Sequence, residues 1–211
     1  MLRLRDPVPE MKVDFWFEFA STYSYPSAMR IETLAAERGI ALSWRSFLLG
    51  PIFREQGWKD SPFNLYPSKG RYMWRDIERV CASQQISFRR PSQFPRNGLL
   101  AARVACRFSA APWLPGFVRA VYRANFAEDL DISEPAIVSA CLASSGEDPA
   151  EVLEEAQSPE SKAQLRAQTE EAVRLGIFGA PSCLVGLELF WGNDRLEDAL
   201  SWAVEHAAQQ A

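Results

Sequence analysis

The sequence predicts an α/β fold in which a small sheet unit is split by an all-helical insertion. Three observations carry this. Residues 12–19, KVDFWFEF, are apolar on both faces apart from Asp14 and Glu18, as a central strand is. Residues 70–174 hold run after run with helical spacing and few candidate strands. Near the end, SCLVG and ELFWG are two short apolar runs meeting at Gly186, the pattern of a hairpin.

The elements follow in order. A helix is predicted from near Ser24 to Glu37, with Ala28, Ile31, Leu34 and Ala35 on one face and Gly39 closing it. ALSWRSFL at 41–48 is the second strand, so 12–48 makes a β-α-β unit. From Leu49 to about Gly70 the pattern is irregular, punctuated by Pro51, Gly57, Pro62 and Pro67. Helices are then expected over 70–84 (Tyr72, Ile77 and Val80 on one side), 99–108 and 112–125. Others are expected over 133–143 with Ser133 as N-cap, 149–156 and 159–174. A final helix over 195–208 is capped by Asn193 and Asp194. The order β-α-β, helices, β-β-α is that of a thioredoxin-like fold with an inserted all-helical domain. Residues 12–48 and 176–208 form its discontinuous thioredoxin-like domain, and 49–175 the linker segment and helical insertion.

Bulk composition narrows the class. The chain has 211 residues, 47% hydrophobic and 24% charged, with a formal net charge of -4, ordinary for a soluble globular protein. No block of Lys or Arg marks a nucleic-acid surface, and no apolar run approaches a membrane span. The N-terminal MLRLRDPVPEMKV lacks the apolar core of a signal peptide and reads as a short leader. Cysteines stand at 81, 106, 141 and 183, none spaced Cys-x-x-Cys, and the single histidine is His206. No zinc site or other metal site is expected, and the thiols are expected reduced and buried, which implies a cytoplasmic setting.

Four places carry candidate chemistry. Ser21 and Ser24 stand Ser-x-x-Ser at the junction of the first strand and helix, where a thioredoxin-like redox protein has Cys-x-x-Cys. Disulfide exchange needs a thiolate there, so the chain by itself cannot perform it. A hydroxyl at a helix start can instead hold another molecule's thiolate, whose anion the helix N–H groups favour. Helix capping fits the same two serines, and both readings can hold at once. Pro181, preceded by Ala180, stands at a strand entrance, where a cis-proline beside the active site or an ordinary trans-proline both fit. Asn193 and Asp194 fit either a helix cap or a site for a carboxylate and an ammonium. Lys69, in YPSKGRYMWRD, fits a ligand carboxylate or a solvated surface lysine. The aromatic side chains of 47–74 (Phe47, Phe53, Trp58, Phe63, Tyr66, Tyr72, Trp74) fit a pocket lining or interdomain packing. A serine-protease arrangement through His206 lacks a G-x-S-x-G elbow and is set aside.

Taken in order, DFWFEFASTYSY, the FLLGPIF…GW…SPFNLYPSKGRYMWRDIER block, FPRNGLLAAR, GIFGAPS and LFWGNDRL make the chain resemble the 2-hydroxychromene-2-carboxylate isomerases. These are relatives of the kappa-class glutathione transferases within the DsbA-like thioredoxin group. The resemblance runs from about residue 12 to 205. It implies glutathione as cofactor, a small aromatic carboxylate or other electrophile as substrate, and a homodimer. Ser21 then matches the serine that hydrogen-bonds the glutathione sulfur. Pro181 matches the cis-proline, with Ala180 pairing to the cysteinyl backbone. Asn193 and Asp194 match the pair that grips the γ-glutamyl end, and Lys69 a lysine near a ligand carboxylate. Tyr23, Trp58 and Asn64 are assigned to the substrate pocket. The family has a Gly-Asn in this block, whereas Gly57 is followed here by Trp58, with Asn64 as the nearby substitute. A kappa-type transferase or peroxidase, and a non-enzymatic binding module, use the same cleft.

Overall fold

A computed structural model describes residues 11–210; the leader expected before Met11 lies outside them. The core is a four-stranded sheet in the order β2-β1-β3-β4. β1 (Lys12–Phe17) is central, as its two-sided apolar pattern requires. It runs parallel to β2 (Ala41–Ser46) and antiparallel to β3 (Ser182–Val185), and β3 pairs antiparallel with β4 (Glu188–Trp191). Phe15 lies between Trp44 and Cys183 in this register.

Alternation along β1 divides the interior. Val13, Phe15 and Phe17 face the larger core, shared with α1 (Ser24–Ala36), α5 (Leu99–Arg107), α6 (Leu114–Phe126) and α10 (Leu196–Gln210). Trp16 points to the other face, where Phe47, Ile52, Ala172, Ile177 and Leu184 enclose it. Each of these side chains is buried, so a single truncation on either face is of the kind that costs about 2–5 kcal/mol.

The segment read as irregular is more regular than its prolines suggest. It holds α2 (Leu49–Glu55) and α3 (Pro62–Leu65), and α4 (Pro67–Ser83) begins three residues earlier than expected. The prolines open helices here rather than breaking them. Ser61, Asp148 and Ser158 each precede a proline, and each accepts a backbone N–H from the first helical turn. The last two open α8 (Pro149–Ala156) and α9 (Pro159–Arg174). The buried face of α4 is Gly70, Met73, Trp74, Ile77 and Cys81, so of the expected stripe only Ile77 is core. Ser133 does not cap α7 (Pro135–Ala143). Glu134 holds that position without a side-chain bond, and Ser133 lies one residue too early, in the turn where its N–H donates to Asp131 Oδ1 at 3.0 Å.

One buried charge pins the helical part to the sheet. The Arg96 guanidinium, almost wholly buried, donates to the carbonyls of Asn125, Asp129 and Leu130 and to the Asp129 carboxylate. Asn125 in turn donates to the Phe19 carbonyl at 3.1 Å, just beyond the end of β1. The Ser92 N–H, and then the Arg96 guanidinium, hold the Asp129 carboxyl at about 2, below the usual carboxylate range.

Candidate active site

β1 ends at Phe17, and the chain turns so that the Ser21 N–H donates to the Glu18 carbonyl at 3.0 Å. This turn sets the Ser21 side chain between two parts of the fold. Its hydroxyl donates to the Ala180 carbonyl at 2.9 Å and accepts the Ser24 N–H at 3.2 Å. Of the two serines that capping fits, Ser21 is the one whose oxygen accepts a helix N–H. Ser24 is the first residue of α1, and among the described residues its buried Oγ finds no hydrogen-bond partner. The Ala180–Pro181 peptide is cis, as is Phe94–Pro95, which the sequence reading did not single out.

Around Ser21 lies a cleft of about 1530 Å³. Tyr23, Trp58, Lys69 and Ala180 line it, as do Asn193 and Asp194, so the fold draws these distant residues onto one cavity. Pro181 lies behind Ala180, its carbonyl accepting the Gly192 N–H at 2.9 Å. Asn64 is not in the lining; its amide donates to Asp60 Oδ2 at 3.1 Å and to the Phe94 carbonyl at 3.3 Å. The aromatic residues of 47–74 divide between both readings offered for them, except Tyr66, which is exposed and outside the cleft lining. Phe53, Trp58, Phe63 and Tyr72 line the cleft, while Phe47 and Trp74 are core.

The polar groups are held in definite ways. Asn193 does not cap α10. It opens a 3-10 turn, Asn193–Arg195, and is buried, its Oδ1 accepting from the Ser27 hydroxyl at 2.9 Å. Asp194 is 76% exposed at the cleft edge, with Arg195 at 3.6 Å. The Lys69 ammonium lies 4.9 Å above the Tyr66 ring and is in solvent. Tyr23 donates to Asp76 Oδ2 at 2.9 Å; burial and then Asp76 push its phenol above the usual range.

Glu18 is a group the sequence reading noted only as a charge in an apolar strand. Glu18 lines the cleft, and its Oε2 accepts the Ala20 N–H at 3.0 Å. Burial raises this carboxyl to about 7, against the opposing effect of the Ala20 and Ser21 backbone N–H groups. The available signal was position: an acid in an aromatic strand, three residues before Ser21. Asp76 and the Phe178–Trp191 pair at the rim, ring centroids 4.8 Å apart, gave no comparable signal.

No cysteine is at the site. All four are buried and outside disulfides, and burial pushes Cys81 and Cys183 to about 12 and Cys106 and Cys141 to about 11. A thiol so held is not a thiolate at neutral pH. Among the described residues no cluster of His, Cys, Asp and Glu fits a metal ion.

A strand-to-helix turn beside a cis-proline loop, with a helical insertion over the cleft, defines the DsbA-like thioredoxin domain. The chain matches that domain over residues 12–201 and belongs to its family. Within it the chain is a member of the group that holds the 2-hydroxychromene-2-carboxylate isomerases. It is 30% identical to 2-hydroxychromene-2-carboxylate isomerase of Pseudomonas putida over 199 residues, covering 88% of this chain and 91% of that one. It is 28% identical to human glutathione S-transferase kappa 1, covering 90% and 89%. The solved structure of a 2-hydroxychromene-2-carboxylate isomerase superposes with a TM-score of 0.81 at 24% identity, over 95% of this chain and 99% of that one, a likeness of fold.

Proposed function

We propose that the protein is a glutathione-dependent isomerase. Its substrate is 2-hydroxychromene-2-carboxylate, converted to trans-o-hydroxybenzylidenepyruvate, or a related intermediate of aromatic-compound catabolism. The observation that carries this is a hydroxyl, Ser21, standing where the helix start favours an anion, in a cleft without a thiol of its own. Glutathione supplies the sulfur. The hemiketal ring opens to its conjugated keto form, its C–O bond breaking as the phenol oxygen takes the hydroxyl proton; the thiolate adds to that conjugated system, the transiently single bond rotates, and the thiolate leaves. Nothing is oxidised or reduced overall, so the chemistry needs no second cysteine. Holding thiol and acceptor together supplies the proximity advantage.

The site residues take matching roles. The Ser21 hydroxyl carries one hydrogen, given to Ala180 in this structure. Rotating it toward a bound sulfur releases the Ala180 carbonyl, which is then available to a cysteinyl N–H of glutathione. Asp194 pairs with the γ-glutamyl ammonium, and the Asn193 amide faces its carboxylate. Lys69 and the aromatic wall of Tyr23 and Trp58 receive an anionic ring. Asn64 shapes the wall from behind through Asp60 and Phe94. The protein works in the cytoplasm as a homodimer, and among the described residues no helix is long and apolar enough to cross a membrane.

The kinship with human glutathione S-transferase kappa 1 favours a second reading, transfer of glutathione to another electrophile. Calorimetric titration with glutathione and with S-methylglutathione tests the shared step. Binding of glutathione that weakens when the sulfur is methylated is expected; heats absent for both ligands would remove either reading.

A further inference from the structure

We propose that Glu18 is the proton acceptor for the thiol held at Ser21, a role resting on the glutathione reading above. Ser21 itself cannot fill it. A serine hydroxyl donates a hydrogen bond to a thiolate but does not take the proton. Some group in the cleft has to.

The geometry narrows the choice. Asp76 accepts from Tyr23 and from Arg79. Asp60 accepts from the Ser61 N–H and the Asn64 amide. Asp194 stands in solvent beside Arg195. The four cysteines are buried, and His206 stacks on Trp202 at 3.8 Å, away from the cleft lining. Glu18 differs from all of these. It is joined to Ser21 in one tight turn and lines the cleft, its Oε2 is fixed by the Ala20 N–H, and among the described residues its Oε1 accepts no hydrogen bond of ordinary length. It is thus oriented by one oxygen and available by the other.

The groups around it leave this role intact. From α6, the Tyr122 hydroxyl is spent on the Glu18 carbonyl at 2.9 Å. From the loop before α5, Arg96 is bound to Asp129. On β3, Cys183 is buried, and on β2, Arg45 reaches Asp14 further back along β1. Lys69 and Asp76 of α4, Arg54 of α2, Lys59 and Asp60 of the linker, and Asp194 and Arg195 share the cleft. Burial, the largest influence on Glu18, brings the carboxyl to about 7, where both of its forms are populated at neutral pH.

The step balances. The S–H bond of glutathione breaks, its electron pair stays on sulfur, and the proton forms an O–H bond on Glu18. The thiolate then adds to the electron-poor carbon of a conjugated carbonyl. A C–S bond forms, the C=C π pair shifts toward the carbonyl, and the resulting enolate oxygen takes the proton from Glu18. After rotation, Glu18 takes that proton back, the C=C bond re-forms and the thiolate leaves with its pair. The proton returns to sulfur, and thiol and protein end as they began.

The test is a carboxyl-carbon NMR titration of the full chain across neutral pH, with E18Q assigning the Glu18 resonance. It is run alone, with glutathione, and with S-methylglutathione, which has no thiol proton. Glu18 is expected to titrate near neutrality, and glutathione to displace its midpoint by about half a pH unit or more beyond the effect of S-methylglutathione. In turnover, E18Q is expected to be about 100-fold slower with glutathione affinity within about threefold, to lose the pH limb near neutrality, and to be partly rescued by E18D. Two bound ligands displacing the midpoint equally, or an E18Q enzyme with unchanged rate and limb, would overturn the role of Glu18 alone. If neither ligand perturbs any resonance, the glutathione reading falls and this role with it.

Discussion

The Ser21 hydroxyl donates to the Ala180 carbonyl at 2.9 Å across 159 residues of sequence. That one bond joins the start of α1 to the loop before β3, the two segments that meet at the base of the cleft. Because the same oxygen also accepts the Ser24 N–H, Ser21 is both the cap of α1 and the group aimed at the site. The two readings of this serine are one arrangement.

Ser21→Ala removes a hydrogen bond to an anion, worth about 1.5–3 kcal/mol. Turnover with glutathione is expected to fall roughly 10- to 100-fold, with a smaller loss of glutathione affinity, because the tripeptide keeps its other contacts. The split between kcat and KM in steady-state kinetics checks this. An equal loss in affinity would instead mark Ser21 as a simple binding group.

Glu18 makes stability fall as pH rises. Its folded-state value of about 7 lies above the ordinary 4.5, so between these values the unfolded chain has lost a proton that the folded chain keeps. The stabilisation is complete below about 4.5 and gone above about 7, and a shift of this size corresponds to about 3 kcal/mol at most. Urea unfolding of wild type and E18Q across this range is expected to show the difference shrinking toward acid pH and growing toward neutral pH.

Gly70 marks a close approach of backbone to backbone. A Cβ there would lie 2.2 Å from the Phe63 carbonyl oxygen, so α3 and α4 meet only because position 70 has no side chain. Gly70→Ala is expected to lower stability by about 1–3 kcal/mol and to raise KM, since opening this elbow moves Lys69. Thermal melts with paired KM values check it.

Tyr23→Phe leaves Asp76 with Arg79 as its side-chain partner. A loss of about 1 kcal/mol is expected in urea unfolding, with the m-value unchanged.

The sheet was legible because its signals are local. The apolar β1, the Gly39 helix end and the hairpin at Gly186 each follow from a few adjacent residues. Ser21, Ala180, Asn193 and Asp194 were legible as element boundaries, where backbone groups are exposed. The helices of 49–70 were hidden by prolines that occupy first helical turns, where their missing N–H costs nothing. Capping was legible for Ser21 and Ser24 alike, and only the fold selects Ser21, because spacing alone cannot show which oxygen reaches the N–H. Glu18 and Asp76 acquire meaning only once the chain folds a cleft around them. The bonding of the exposed Asn64 to Asp60 and Phe94 depends likewise on contacts that no sequence pattern encodes.

The most direct measurement is the ultraviolet absorbance of 2-hydroxychromene-2-carboxylate mixed with the purified protein, with and without glutathione, beside Ser21→Ala. Conversion that requires glutathione and collapses in the variant is the expected result. Conversion at the same rate without glutathione, or one indifferent to Ser21, would contradict the assignment.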